Sequence, residues 1–93
     1  MPAEKNPNAR CIIRISGKDN RSFLQGLITN DIHKTDHGLV YAALLSAQGK
    51  FKYDFFLFAD GEDVMMDIDQ AMAAALQKKL MLYRLRADVH LQE

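Results

Sequence analysis

The sequence predicts an α+β fold, in which two helices pack on one face of a mainly antiparallel sheet. In the middle of the chain, short apolar runs follow one another across glycine-bearing turns, which indicates strands that pair directly and antiparallel. One longer segment before these strands and one after them have apolar residues at helical spacing. The predicted order is β-α-β-β-β-α, followed by the beginning of one more strand.

The first strand and the first helix lie near the amino terminus. Residues Arg10–Ser16 alternate, so that Cys11, Ile13 and Ile15 share one face, and the run ends at a Ser-Gly turn. Asp19 is a suitable N-cap for the helix that follows, because its side chain can accept a hydrogen bond from a free backbone N–H. The apolar stripe of this helix comprises Phe23, Leu24, Leu27 and Ile28.

Three strands are predicted to form a meander. Leu39–Leu45 and Phe51–Phe58 are strand-like runs, joined by a hairpin turn at Ser46–Lys50 in which glycine supplies a positive φ. Val64–Ile68 is the third run, after a polar turn. The segment His33–Gly38, which precedes the meander, is predicted to be a polar loop.

The second helix is predicted to begin at a cap formed by Asp67 or Asp69 and to end near Arg84. Ala87–Leu91 alternates again and predicts a last strand, whose partner is expected to lie elsewhere. The residues expected on the buried stripe of this helix are Met72, Leu76, Leu80 and Tyr83.

Length and composition indicate one small domain, with a flexible tail at residues 1–9 and the folded part at 10–93. Twelve basic and twelve acidic side chains give no net charge, so no global field attracts nucleic acid or an anionic membrane. The single cysteine, Cys11, lies in an apolar run and is expected to be a structural thiol in a reducing compartment. With a polar amino terminus and no signal peptide, we expect a cytoplasmic protein. The three histidines have no metal-ligand spacing, and no metal is expected.

Four sequence blocks resemble a known family. They are Phe23–Asp31 (FLQGLITND), Leu44–Lys50 (LLSAQGK), Asp54–Phe58 (DFFLF) and Leu82–Val89 (LYRLRADV). In this order and spacing they resemble the N-terminal part of the YgfZ/Caf17-type folate-binding proteins, which are related to the glycine-cleavage T-protein, an aminomethyltransferase. The resemblance spans about residues 10 to 90. It implies one unit, that is half, of a duplicated folate-binding domain whose two units exchange their first strands.

The resemblance also implies a tetrahydrofolate site. Tyr41 matches a tyrosine that lines the folate cavity, and Asp54 matches an acid that faces the pterin end of the ligand. From alternation alone, Asp54 is instead an exposed strand residue and Tyr41 a packing residue. Asn30 and Asp31 either lie at the edge of the cavity or satisfy the backbone where the helix ends. Lys50, at the predicted hairpin tip, is a candidate contact for the glutamate tail of a folate.

Three functions are open at this point. The resemblance implies a folate-binding module of a protein that assists iron–sulfur cluster assembly or repair, with a link to tRNA modification. The alternative is an aminomethyltransferase, but Gly49-Lys50 and Tyr53-Asp54 replace the glycine pair and the acid pair of the T-protein pattern. The cysteine-bearing KGCYxGQE signature of the YgfZ side is absent from the chain. The third is an association domain without a ligand.

The expected partners follow from the same resemblance. They are a folate and, in the cell, iron–sulfur proteins or tRNA-modification machinery, with no membrane. Because half of a duplicated domain leaves a sheet edge and an apolar surface uncovered, a two-fold homodimer is also expected. It would exchange either the Arg10–Ser16 strand or the Ala87–Leu91 end.

Overall fold

The computed structural model describes residues 9–45 and 51–93, apart from the side chains of residues 51 and 52. The predicted α+β class is confirmed. The predicted tail and the turn at 46–50 lie outside the described residues, except for Ala9. In chain order the elements are β1 (Arg10–Ser16), α1 (Asn20–Gln25), a 3₁₀ helix (Ile32–His37), β2 (Val40–Leu45), β3 (Phe51–Asp60), β4 (Asp63–Asp69), α2 (Gln70–Arg84) and β5 (His90–Gln92).

The five strands form one antiparallel sheet in the order β2-β3-β4-β1-β5. Because side chains alternate along each strand, one face of the sheet is apolar and buried under the helices, and the other is open. Strand residues of the buried face include Ile13, Ile15, Val40, Ala42, Leu44, Tyr53, Phe55, Leu57, Val64, Met66 and Ile68.

The pairing of β1 differs from one expectation. The last strand was expected to have its partner elsewhere, but β5 pairs with β1, with Ser16 opposite His90 and Arg14 opposite Gln92. In the single chain, β1 lies between β4 and β5 of its own sheet, and exchange of the first strand stays a prediction. Moving β1 to another molecule would break two ladders, whereas releasing β5 would break one short ladder. Homodimer formation stays a prediction.

The buried stripe of α2 consists of Ala73, Leu76 and Leu80, all at most 2% exposed. Leu76 and Leu80 are as predicted, but Met72 and Tyr83 are 42% and 44% exposed and were placed on the wrong face. The helix is rotated so that the small Ala73 faces the sheet, which allows a close approach there. Within the described ranges, no helix is long and apolar enough to cross a membrane.

The two helices begin differently. At α2, the carboxylate of Asp69 accepts a hydrogen bond from the backbone N–H of Ala71 at 2.9 Å, which decides between the two predicted caps. At α1, Asp19 occupies the N-cap position, but its side chain does not cap the helix. Its carboxylate accepts from the backbone N–H of Asp88 at 2.8 Å instead, so it ties the end of the chain to the start of α1.

The segment between α1 and β2 is more ordered than a polar loop. Leu24 of α1 is fully buried, while Phe23, Leu27 and Ile28 are partly buried against the core. The predicted loop is a 3₁₀ helix that buries Ile32 and Thr35, and the Thr35 hydroxyl donates to the Ile32 carbonyl at 2.7 Å. The polar sequence did not indicate a buried helical turn here. Thr35 can be buried because its hydroxyl is hydrogen-bonded within the turn.

A close backbone contact joins the turn after β1 to the segment before β5. The N–H of Asp19 donates to the Asp88 carbonyl at 3.1 Å, and the N–H of Lys18 donates to the Asp88 carboxylate at 3.3 Å. This second bond has the largest effect on the pKa of Asp88, which it lowers. The hydrogen bond between the Asp88 carboxylate and the His90 side chain lowers it further. Gly17 has a φ of +103°, and a Cβ there would lie 2.1 Å from the Asp88 carbonyl oxygen. Only glycine fits this contact.

Leu76→Ala is expected to lower the free energy of unfolding by about 2–5 kcal/mol, because it leaves a cavity under α2 in a small core. Met72→Ala, one turn earlier in the same helix but 42% exposed, is the matched control and should change stability by less than about 1 kcal/mol. Urea unfolding followed by circular dichroism measures both. Equal losses would contradict the observed rotation of α2.

Gly17→Ala is expected to destabilise the protein by more than about 2 kcal/mol, since it combines a backbone clash with an unfavourable positive φ. Gly26→Ala is the control: Gly26 has a φ of −75°, and its added Cβ would have no neighbour closer than 3.7 Å. In thermal unfolding, the melting temperature of Gly17→Ala should be clearly lower than that of Gly26→Ala. Similar melting temperatures would show that the contact with Asp88 is not rigid.

Candidate functional site

The candidate site lies on the open face of the sheet, where β2 and β3 pair. Ala43 is opposite Asp54 and Tyr41 is opposite Phe56, so Tyr41 and Asp54 are diagonal neighbours on one face. The Tyr41 hydroxyl donates a hydrogen bond to Asp54 Oδ2 at 2.6 Å. The second carboxylate oxygen, Oδ1, is not part of this bond. The structure thus joins the two residues that the family resemblance singled out, thirteen positions apart in sequence.

The surroundings of Tyr41 are partly aromatic. Its ring packs on that of Phe56 in a tilted arrangement, with centroids 5.3 Å apart and 56° between the planes. The Tyr41 side chain is nonetheless 51% exposed. The bond to the Asp54 carboxylate raises the pKa of Tyr41, because an ionised phenol could no longer donate and would face a negative charge. Tyr41 therefore keeps its phenol proton at neutral pH and donates it to Asp54.

Thr29 and Asn30 hold β2 from its outer side. The N–H of Thr29 donates to the Ala43 carbonyl at 3.0 Å, and the Ala43 N–H donates to Thr29 Oγ1 at 2.9 Å. Asn30 Nδ2 donates to the Tyr41 carbonyl at 3.0 Å. Asn30 therefore contacts the backbone of Tyr41, one member of the pair. Thr29 supports β2, the strand that carries Tyr41. The supporting role of Thr29 was not predicted.

The other two predicted site residues are not joined to this pair. The Asp31 carboxylate accepts from the His33 N–H at 3.0 Å and caps the 3₁₀ helix, which is the structural alternative considered for it. Lys50 lies outside the described residues. The arrangement thus brings together Asn30, Tyr41 and Asp54.

An apolar floor beside the pair was missed. Phe56 and Phe58 share the open face with Asp54, since all three alternate with the buried Phe55 and Leu57. Phe58 is opposite Met65 of β4, which continues the floor towards the middle of the sheet. The alternation itself is the signal that could have predicted it. A carboxylate beside half-buried aromatic rings can accept hydrogen bonds from the edge of a flat heterocycle that stacks on them.

Cys11 does not belong to this site. It is half-buried and packs against the core. Burial raises the pKa of its thiol, and a hydrogen bond with Glu93 adds to the effect, so the reactive thiolate is disfavoured. Among the described residues, no three His, Cys, Asp or Glu side chains come together as a metal site would require.

Comparison with known proteins agrees with the family resemblance. A protein of Pyricularia oryzae is 33% identical over 88 residues, which cover 90% of the chain. A protein of Neurospora crassa is 32% identical over 92 residues, and a human protein 30% over 96. No family model matches the chain. The predicted relationship to the N-terminal portion of the YgfZ-type folate-binding proteins is confirmed.

These particular relatives are named iron–sulfur cluster assembly factor IBA57, the fungal ones as homologs, and each name includes "mitochondrial". The chain spans 21% of the Neurospora protein's length and 27% of the human protein's. The cytoplasmic location expected from the sequence is wrong on this comparison. A single cysteine indicates a reducing environment, but it does not distinguish one reducing compartment from another.

The bond between Tyr41 and Asp54 predicts a change in titration. Asp54→Asn should lower the pKa of Tyr41 towards its ordinary value, because the neutral amide repels a phenolate less than a carboxylate does. Ultraviolet absorbance between neutral and strongly alkaline pH measures the ionisation, with Tyr41→Phe identifying the signal of Tyr41 among the three tyrosines. An unchanged titration curve in Asp54→Asn would show that the bond does not form in solution.

Proposed function

We propose that this chain supplies a tetrahydrofolate-contacting surface, built on Tyr41 and Asp54, within a protein that assists iron–sulfur cluster assembly. The observation that carries the proposal is the 2.6 Å hydrogen bond from Tyr41 to Asp54 on the exposed face of the sheet. It fixes a carboxylate beside aromatic side chains without burying it. A ligand can reach both without displacing a helix.

The residues present fit the chemistry of a folate. The pterin ring is flat and carries N–H donors along one edge, which a carboxylate accepts well. The bond from Tyr41 orients Asp54 through Oδ2, and Oδ1 is the oxygen that would meet such donors. The partly exposed rings of Tyr41 and Phe56 give the flat part of the ligand an apolar surface. Asn30 steadies the backbone of Tyr41, so its contribution is to position the site.

Binding is better supported than aminomethyl transfer. Tyr53 occupies the position of the first of the two adjacent acids in the T-protein pattern, and its side chain is buried on the helix-covered face of the sheet. Neighbouring strand residues point to opposite faces, so Tyr53 cannot assist Asp54 directly. Asp54 is thus the single carboxylate of this pair of positions. A fixed charge of this kind suits recognition of the ligand.

The names of the relatives support the cellular part of the proposal. Proteins called iron–sulfur cluster assembly factors align with most of the chain, and iron–sulfur proteins are the partners that follow. The link to tRNA modification rests on the family resemblance alone. The chain spans about a quarter of these relatives' length, and contact with the folate is the part of the task that we propose for it.

Asp54→Asn is expected to weaken tetrahydrofolate binding by about 1–3 kcal/mol, the usual effect of losing a charged hydrogen-bond partner. Titration calorimetry under reducing conditions measures the affinity. Asp36→Asn is the matched control, because Asp36 is an exposed aspartate on the 3₁₀ helix and should leave the affinity unchanged.

Two results would contradict the proposal at different levels. If Asp54→Asn binds as tightly as the wild type with its fold intact, Asp54 does not contact the ligand. If titration of tetrahydrofolate to millimolar concentration into the folded wild-type chain gives no heat of binding, the chain does not supply the binding surface by itself.

A further inference from the structure

Four of the twelve basic residues lie in the second half of α2 or directly after it. The chain as a whole has twelve basic and twelve acidic side chains. Residues 70–87, however, contain Lys78, Lys79, Arg84 and Arg86 and no aspartate or glutamate, which gives this stretch a charge of +4. Zero net charge therefore conceals a local field that can attract an anionic surface.

The same end of α2 exposes large apolar side chains. Leu82 is 68% exposed and Leu85, directly after the helix, is 85% exposed, while Met81 and Tyr83 are each 44% exposed. Met81, Leu82 and Leu85 form the α2 outer surface, because helical spacing turns Met81 and Leu82 away from Leu76 and Leu80, whereas Tyr83, like Met72, flanks the buried stripe. A helix that is apolar on more than its core-facing side is usually covered by something else.

Leu85 adds an independent observation. It has φ +51° and ψ −113°, and it is the one residue other than glycine with a positive φ in the described part of the chain. Glycine, and after it asparagine, adopts this conformation at lower cost than leucine. A strained leucine that also exposes most of its side chain brings no evident gain to the fold. Strain at such a position is typical of a residue that serves binding.

We propose that the α2 outer surface docks on a membrane that contains anionic lipids, with Leu82 and Leu85 inserted among the head groups. The two leucines project outward, so they suit a deformable surface that can surround them. The cations Lys78 and Arg86, both exposed, stand beside them and can meet lipid phosphates. Such docking is peripheral and needs no membrane-spanning helix. The zero net charge led us to expect no attraction to an anionic membrane. The proposed docking differs from that expectation because the positive charge is local.

Two other occupants fit less well. A second copy, packed antiparallel about a two-fold axis at the middle of α2, would bring Lys78 and Lys79 of both copies together near Gln77 and repel itself. Nucleic acid would satisfy the cations, but it would leave Leu82 and Leu85 in water. Lipid satisfies the charges and the leucines together.

The test is co-sedimentation of the purified chain with large unilamellar vesicles. Vesicles of phosphatidylcholine with a minority of phosphatidylglycerol should bind the chain, and those of phosphatidylcholine alone should bind it about tenfold or more weakly. Leu82→Ser and Leu85→Asn should each reduce binding to the anionic vesicles by about tenfold. Raised salt should weaken binding of the wild type.

The variants separate docking from folding. Leu85→Asn relieves backbone strain, so it should keep or raise the melting temperature while it weakens vesicle binding. Leu39→Ser is the matched control, because Leu39 is 63% exposed and lies before β2, and it should bind as the wild type does. Equal losses for Leu39→Ser and Leu82→Ser would overturn the proposal. So would failure of the wild type to bind anionic vesicles at low salt, or light scattering that shows self-association abolished by Leu82→Ser.

Discussion

The packing of Leu76 and Leu80 against one face of the sheet determines what the other face can do. With Leu24 of α1, these side chains cover the strand residues that point towards the helices. Neighbouring strand residues must then point the opposite way, onto a face that no helix among the described residues covers. Tyr41 and Asp54 are such residues. Their exposure is a consequence of the core, and it needs no special local structure.

Much of the fold could be predicted from the sequence, because alternation along strands is a direct signal. The rotation of α2 could not. Apolar periodicity gave similar weight to Met72 and Tyr83 as to Leu76, and it overlooked Ala73, whose small size matters only once the sheet is known. The 3₁₀ helix was not predicted for another reason. Thr35 is a polar residue, but in the structure its hydroxyl is hydrogen-bonded and its side chain is buried.

The candidate site was predictable in part. Alternation placed Asp54 on the exposed face, and the resemblance supplied its partner Tyr41. The contact between them depends on the register of β2 and β3, which sequence alone does not fix. Asn30 and Asp31 show the limit, because adjacent polar residues in one turn serve different purposes. Asn30 reaches Tyr41, whereas Asp31 serves its own helix.

The bonds made by Thr29 and Asn30 have a consequence for how the sheet can grow. They occupy the outward carbonyl of Tyr41 and both outward backbone groups of Ala43, so an incoming strand finds few partners along β2. The opposite edge is β5, which is only three residues long, while β1 beneath it extends four residues further. Extension of the sheet, whether by an adjoining segment or by an aggregating neighbour, is thereby directed to the β5 side. The side chains of Thr29 and Asn30, which hold the candidate site in place, thus also determine at which edge the sheet can be extended.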